Sequence, residues 1–314
     1  MELGPHVARL QPAEPAGYRR QRVLLLLRDG RLMRAARGAA VLAALTVVTC
    51  DAGDAGGPEA SDPADGYFTS ADVNTVFIEE MTWTEVQEAI DRGATTVILP
   101  TAGTEQNGPH MVTGKHRYII EEASDRIARE LGDALVAPTV TYVPEGNVDP
   151  PSGHMRYAGT ITLPNEFFMN LVEYAARSFR AHGFTDIAFI GDSGGNQRGM
   201  EAVATMLNEE WGGERSRVHF IGDYYANNGF RDWLVEQGEV PDSIGGHAGI
   251  SDTSILLYVE PRHIRQDMLA PGGGFEGSGV SGNPTRASAE YGEVGMRMRV
   301  DAAVRQIRAA RGSE

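Results

Sequence analysis

Apolar and polar residues follow two alternating patterns along the chain from about residue 74 onward. Stretches with apolar residues at helical spacing are separated by short, continuous apolar runs, which are typical of buried strands. The predicted helices cover residues 82–93, 117–131, 164–182, 196–211, 229–238 and 294–311, and the predicted strands cover residues 96–100, 134–143, 186–190 and 217–222. Strands separated by helices of this length predict an α/β fold, a single-domain, doubly wound, mostly parallel sheet flanked by helices over residues 74–314.

Local signals support two of these helix boundaries. Thr82 and Glu85 have the spacing of a capping box, and Gly93 is placed to end the helix that follows. Pro164 can occupy the first turn of a long helix, and Gly183 is placed to end it.

The first 49 residues differ in kind from the rest, with 3 acidic and 8 basic side chains and a final uncharged run of 12 residues, Gly38 to Thr49. A basic segment before a short apolar run is typical of a secretory signal, and 12 helical residues reach about 18 Å, too short for a bilayer core of about 30 Å. The run ends at Cys50, which resembles a bacterial lipoprotein signal; a plain secretory signal and an unrelated cysteine are the alternatives. Met33 is an alternative start. We therefore predict an exported protein with residues 1–50 as its signal.

The composition of the remaining chain limits its partners. Residues 51–73 are rich in Asp, Ala, Gly and Pro and predict a disordered tether. The net charge of −15 argues against nucleic-acid binding, because phosphate contacts need clustered Lys and Arg. Membrane contact is expected only through the lipid anchor at Cys50. A single cysteine excludes internal disulfides and zinc sites that need two cysteines.

Polar residues that can transfer protons or bind metals collect in three segments, two of them directly after predicted strands. The candidates are Glu105, Asn107, His110 and His116 in the first segment, Asp192, Ser193 and Asn196 in the second, and His247 and Asp252 in the third. In doubly wound sheets, active sites form at the carboxyl ends of strands. Convergence of these segments at one edge of the sheet would therefore form a site.

Two further motifs suggest functions that their surroundings argue against. Gly191 to Gly195 has the spelling of the nucleophile segment of trypsin-like proteases, but those proteases are all-β proteins. Gly272 to Gly277 fits a dinucleotide-binding fingerprint, but Pro271 precedes it and no predicted strand leads into it. We interpret residues 272–277 as a flexible loop near the site.

Taken together, the three segments resemble the motifs of the creatininase family over roughly residues 76–310. Its first motif is similar to Pro100 to His116, and its histidine-containing middle segment is similar to His154 to Ile161. Its later motifs resemble Gly191 to Asn196, His247 to Ser254 and Gly279 to Thr285. The resemblance implies an α/β fold and a metal-dependent amidohydrolase. It also implies a homo-oligomer.

The family's binuclear metal site is altered in this chain. Glu105 matches the family's glutamate ligand, but Asn107, His116 and Ser193 stand where the family has a histidine, a bridging aspartate and a second histidine. A neutral imidazole has only one free lone pair, so His116 cannot bridge two metals. The resemblance therefore implies a divalent metal, Zn or Mn, as one ion rather than two, held by Glu105, His116 and Asp192.

The remaining candidates take roles from the same resemblance. His247 matches the family's catalytic histidine, with Asp252 orienting it or the attacking water, and Asn107, His154, Ser193 and Asn196 line the substrate pocket. The expected reaction is hydrolysis of a C–N bond in a small or cyclic amide, and the altered ligands argue against creatinine itself. Two alternatives stay open. Glu105 and His116 could hydrogen-bond each other and Asn107 without a metal, and the protein could be a non-catalytic, lipid-anchored small-molecule-binding protein.

Overall fold

The protein is described by a computed structural model over residues 74–312, so the predicted signal and tether lie outside the described residues. Within that part of the chain, none of the helices is both long and apolar enough to cross a membrane. The α-helices are α1 (Trp83–Asp91), α2 (Lys115–Leu131), α3 (Asn165–Ala181), α4 (Gln197–Trp211), α5 (Phe230–Glu236), α6 (Pro241–Ile244), α7 (Ile250–Val259) and α8 (Ala289–Arg311).

The central sheet has four parallel strands in the order β2-β1-β3-β4. These strands are β1 (Thr96–Thr101), β2 (Ala134–Val136), β3 (Asp186–Gly191) and β4 (Arg217–Phe220). A short antiparallel hairpin is formed by β5 (Gly272–Gly273) and β6 (Ser281–Gly282). Because each crossover between parallel strands needs a helix, the helices cover both faces of the sheet.

The two faces bury separate apolar clusters. On one face, α2, α7 and α8 pack around residues such as Ile98, Ile190 and Ile255. On the other face, α3 and α4 pack around residues such as Leu99 and Phe189. Adjacent residues of β1 therefore point into opposite layers, and the predicted α/β sheet flanked by helices is confirmed.

The short α6, the β5–β6 hairpin and the first five residues of α8 were not predicted, and two longer segments also differ from the sequence prediction. The predicted strand over residues 134–143 ends at Val136, because Pro138 has no amide proton for the ladder; only an isolated bridge from Val140 to Thr101 follows. Helix α7 was not predicted. It is apolar around most of its circumference, so it lacks the amphipathic period by which a surface helix is found.

Candidate active site

The three polar segments lie around one cavity of about 400 Å³ at the carboxyl ends of β1 and β3. Its wall includes Glu105, His116, Glu145, His154, Asp192, Ser193, Tyr225, His247, Asp252, Phe275 and Arg299. Parallel strands place the residues that follow them at one edge of the sheet, which brings Glu105 and Asp192 together although 87 positions separate them.

His116 is clamped between two carboxylates. Its Nε2 lies 2.6 Å from Glu105 Oε1, and its Nδ1 lies 2.7 Å from Asp192 Oδ2. Burial and Lys115 oppose a charge on His116, but Glu105 and Asp192 outweigh them and raise the pKa of His116. Burial also opposes ionisation of Glu105, but His116 chiefly outweighs it and holds the pKa of Glu105 well below its usual range. The trio is thus a hydrogen-bonded imidazolium between two carboxylates.

Asp192 is saturated by protein donors. Arg299 Nη1 donates to Asp192 Oδ1 at 2.5 Å, and the Tyr224 hydroxyl donates to the same oxygen at 3.2 Å. The three predicted metal ligands, Glu105, His116 and Asp192, are therefore in contact, but they meet through hydrogen bonds that use both nitrogens of His116. That ligand set stays a prediction. A second group of possible metal ligands lies at the same cavity.

Donor atoms of Glu105, His154 and His247 all lie within 4.8 Å of one another. His247 Nδ1 is 3.5 Å from Glu105 Oε1, and His154 Nε2 is 3.1 Å from Glu105 Oε2. His247 Nε2 lies 2.8 Å from the backbone carbonyl of Gln106, which can only accept, so this nitrogen carries the proton. The lone pair of Nδ1 then faces the carboxylate. Burial, helped by Lys115, lowers the pKa of His247 to about 4, which keeps the ring neutral.

His154 has the opposite arrangement of its proton. Gln106 Oε1 accepts from the amide of Gly108, and Gln106 Nε2 donates to the carbonyl of Gly279, so the amide group is oriented by the backbone. The same Nε2 lies 3.2 Å from His154 Nδ1, which must therefore accept. His154 Nε2 then carries the proton and donates to Glu105. In this tautomer His247, rather than His154, offers an imidazole lone pair to a cation.

Glu145 is a site residue that the sequence analysis missed. Its carboxyl is 4% exposed, contacts that of Glu105 and accepts from the Ser193 hydroxyl at 3.3 Å. Burial and the neighbouring Glu105 raise the pKa of Glu145 to about 10. A Cβ on Gly103 would lie 2.3 Å from Glu145 Oε1, so a larger residue there would displace the Glu145 carboxyl. The signal was available, since Glu145 follows the apolar run ending at Val143.

Lys115 is a second missed residue, and it explains Asp252. This lysine, the only one in the chain, is fully buried, and its Nζ lies 3.1 Å from Asp252 Oδ2. The same carboxylate oxygen accepts from the amide of Ala248 at 2.8 Å. Burial opposes the charge on Asp252, but Lys115 outweighs it and lowers the pKa. Asp252 therefore braces the backbone beside His247, and its hydrogen bonds go to Lys115 and Ala248 rather than to the imidazole.

The two asparagines predicted to line the pocket brace loops. Asn107 Nδ2 donates to the carbonyls of Glu105 and Val112, and Asn196 Nδ2 donates to Thr101 Oγ1 and the carbonyl of Ala102. Both residues are at most 1% exposed. The Nδ2 groups of Asn107 and Asn196 are therefore engaged with the protein, and neither residue is among those that border the cavity, so their place in the substrate pocket stays a prediction. His154 and Ser193 do border the cavity.

The chemistry of this donor set suits a divalent cation. Two buried carboxyls face each other, and one of them stays protonated at neutral pH when only protein groups surround it. The lone-pair nitrogen of His247 lies 3.5 Å from the Glu105 carboxylate. Mixed carboxylate and imidazole donors are the ligands that Zn²⁺ and Mn²⁺ accept.

An α/β fold with a buried carboxylate and imidazole cluster at the strand ends suits a metal-dependent hydrolase. The chain belongs to the creatininase family, whose sequence model, described as creatinine amidohydrolase, matches residues 79–307. The resemblance stated from the motifs is thereby confirmed.

Particular relatives agree in fold and sequence. The chain is 27% identical to the mycofactocin precursor peptide peptidase of Mycolicibacterium smegmatis over 220 residues, 63% of this chain and 78% of that protein. A solved manganese creatininase superposes with a TM-score of 0.63 at 22% identity, covering 75% of this chain and 98% of the other. A mutant creatininase of the Zn-Zn type superposes with a TM-score of 0.61 at 21% identity, covering 76% and 99%.

Proposed function

We propose that this creatininase-family amidohydrolase cleaves a C–N amide bond in a linear, peptide-like substrate and uses one divalent ion, Zn²⁺ or Mn²⁺. One observation carries the proposal: the free lone pair of His247 Nδ1 faces the Glu105 carboxylate at 3.5 Å, beside the second buried carboxyl of Glu145. A cation bound between Glu105 and His247 would relieve the repulsion between this lone pair and the carboxylate, and Glu145, which contacts Glu105, would supply a further carboxylate.

Glu105, Glu145 and His247 would hold the ion, with Glu145 ionised in its presence. A divalent ion at such a site polarises an amide carbonyl and makes its bound water more acidic. The chain's own groups supply the rest. The Nε2 proton of His154 and the hydroxyls of Ser193 and Tyr225 are donors at the cavity wall that can orient the substrate carbonyl.

The assignment of one ion rests on His116. The creatininase resemblance places His116 where the family has an aspartate that bridges two metals. Here both ring nitrogens lie within 2.7 Å of carboxylate oxygens, and neither is left for a metal. The imidazolium also supplies positive charge beside Glu105, which reduces the need for a second cation.

A second cavity supports a substrate longer than a single ring. This cavity of about 550 Å³ adjoins the first, with which it shares Tyr225, Gly246, His247, Asp252 and Arg299. A chain whose reacting amide lies at Glu105 can extend past Tyr225 into the second cavity. The Mycolicibacterium relative is named as a precursor peptide peptidase, which agrees with an extended substrate.

A non-catalytic binding protein is the second candidate. The observation that favours it is the self-contained network of His116, Glu105 and Asp192, which is fully hydrogen-bonded without any cation. In this case the two cavities would bind a ligand and release it unchanged.

Metal analysis separates the two candidates. We expect about one Zn²⁺ or Mn²⁺ per chain by mass spectrometry after dialysis, falling to background in the variants Glu105→Gln and His247→Ala. Hydrolysis of blocked dipeptide amides should disappear with EDTA and return with the metal. The matched control, His219→Gln, should keep its metal, because His219 is bonded to Asp186 at the other end of the sheet. A wild-type protein that takes up neither metal would point to the binding protein.

We also propose that the protein is exported and tethered through Cys50. The basic and apolar segments before Cys50 and the Asp-, Ala-, Gly- and Pro-rich segment after it support this proposal. In a bacterial host, labelled fatty acid should be incorporated into the wild-type chain and not into Cys50→Ser. Recovery of unlabelled wild-type protein in the cytosol would contradict it.

A further inference from the structure

The glycine-rich segment that resembles a dinucleotide fingerprint lies over the active site as a hairpin. Six of the eleven residues 272–282 are glycine. Strands β5 and β6 pair at its base, and residues 274–280, here named the Phe275 loop, connect them. The Phe275 ring lines the reaction cavity, with its centroid 4.8 Å from that of His154 and 6.3 Å from that of His247.

The base of the hairpin is bonded to the site itself. Ser281 donates its amide to the carbonyl of His247 at 2.8 Å, and Gln106 Nε2 donates to the carbonyl of Gly279 at 3.2 Å. Gly279 has a φ of +82°, and a Cβ there would lie 2.1 Å from Gln106 Oε1. The side chain that orients His154 therefore also holds the base of the loop.

The tip is fastened by one tyrosine and one exposed ion pair. The Tyr157 hydroxyl lies 2.8 Å from the carbonyl of Phe275 and 3.2 Å from that of Gly277, both of which can accept its proton. Arg156 pairs with Glu276 at 3.0 Å, but their side chains are 47% and 89% exposed, so water screens this ion pair. A loop with a hydrogen-bonded base, a glycine-rich connection and an exposed ion pair at its tip can lift the Phe275 ring from the two histidines while Gln106 and Ser281 keep their bonds to the site.

We propose that the Phe275 loop is a lid over the reaction cavity and that the Phe275 ring binds an apolar or aromatic side chain of the substrate next to the reacting amide. The ring is 40% exposed at the mouth of a cavity whose other groups are mostly charged or polar. A substrate side chain lying on it would cover this apolar surface, whereas a small polar ligand would leave it exposed. The inference rests on the proposed function only in placing the reacting amide at Glu105.

Chemical modification of histidine tests the lid without requiring turnover. Diethyl pyrocarbonate should modify His154 and His247 several-fold faster in Phe275→Ala and in Tyr157→Phe than in the wild type, as measured by peptide mass spectrometry. His219 in the same digest is the internal reference. The matched control is Phe167→Ala, which removes an aromatic ring that is 53% exposed on α3. Equal rates in all four proteins would overturn the lid.

Protection by two probes tests the binding of an apolar side chain. N-acetylphenylalaninamide should protect His154 and His247 from modification at about a tenth of the concentration needed for N-acetylalaninamide, the discrimination typical of an apolar contact. Phe275→Ala should abolish the difference, and Phe275→Leu, which keeps an apolar side chain, should retain part of it. Equal protection by the two probes, or protection by neither, would overturn this part. No hydrolysis is measured, so this test gives a result even for a protein that binds no metal and cleaves nothing. A failure of the side-chain proposal can therefore be told apart from a failure of the proposed function.

Discussion

Two clusters of histidine, aspartate and arginine lie at opposite ends of the same strand. At the carboxyl end of β3, Asp192 contacts His116 at 2.7 Å and Arg299 at 2.5 Å. At the amino end, Asp186 contacts His219 at 2.8 Å, and Arg311 lies 4.0 Å away. Both arginines belong to α8, which runs along the strand and supplies one guanidinium to each end.

The two clusters differ in what surrounds them. The side chains of His116 and Asp192 are 6% and 2% exposed, whereas those of His219 and Asp186 are 11% and 20% exposed. At the carboxyl end, the second nitrogen of His116 reaches Glu105, beyond which lie Glu145 and the cavity. Similar residues thus form a structural ion pair where water can reach them. They form a candidate reaction centre where further buried carboxylates and a cavity adjoin them.

Among the substitutions, replacing the histidine of each cluster should have the largest effect on stability, and the size of that effect should differ between the two clusters. His116→Ala leaves the buried carboxylates of Glu105 and Asp192 without their shared donor and should lower the free energy of unfolding by about 3 kcal/mol. His219→Ala should cost about 1 kcal/mol or less, since Asp186 keeps solvent and Arg311. Urea unfolding of EDTA-treated protein measures both. Equal losses would show that burial does not distinguish the two ends.

The pH dependence of stability accumulates over several pH units and should be of opposite sign at the two ends. The folded-state pKa of Glu145 is raised from 4.5 to about 10, so its contribution falls as pH rises between those values. The pKa of His116 is also raised, so the contribution of His116 to stability falls as the pH rises above its ordinary pKa of 6.5. Burial opposes ionisation of Asp186, but its hydrogen bond from His219 outweighs this and lowers the pKa, so its contribution is present above 3.8 and is lost in acid.

EDTA-treated protein should therefore lose stability from pH 6 to 9, by up to about 1.4 kcal/mol per pH unit for each proton involved. Glu145→Gln should flatten this slope. Asp186→Asn should leave the slope unchanged and alter only the pH dependence of stability in acid, below the range from pH 6 to 9. Thermal unfolding across the pH range provides the measurement. A slope unaffected by Glu145→Gln would refute the shared proton of the carboxyl pair.

The smallest effect is expected for the outer arginine. Arg311→Met removes ion pairs to Asp133 and Asp186, whose side chains are 30% and 20% exposed, and should cost about 1 kcal/mol or less. Arg129→Met, which breaks a helical pair with Asp125 and two exposed hydrogen bonds to Asn74, provides a baseline of about 1 kcal/mol or less. If Arg311→Met lost 3 kcal/mol or more, the partly exposed cluster would contribute as much to stability as the buried one, contrary to the comparison above.

Most of the fold could be predicted from local patterns. The capping box at Thr82, the apolar runs of β1 and β3 and the amphipathic helices were all visible in the sequence. Helix α7 was not, because a buried helix shows no period. The strand predicted over residues 134–143 was too long, because the apolar run continues past Pro138 although the ladder cannot.

The candidate site was predicted only in part. Glu105, His116 and His247 stood out as polar groups in motif-like segments, and the structure places all three at the cavity. Glu145 and Lys115 were missed, because both stand outside the predicted helices and strands, where a single charged residue is usually solvated. Their importance comes from burial, and burial depends on residues far away in the chain.

The sequence by itself determined the order of strands and helices, the family and the segments that carry the chemistry, because these depend on periodicity and on residue identity at fixed spacing. Only the tertiary structure decided which nitrogen of each histidine carries its proton and which carboxyl is ionised. Those states depend on distances of about 3 Å between groups as far apart in the chain as Gln106 and His247. A hydrogen bond at such a distance orients a proton, and no local pattern in the sequence records it.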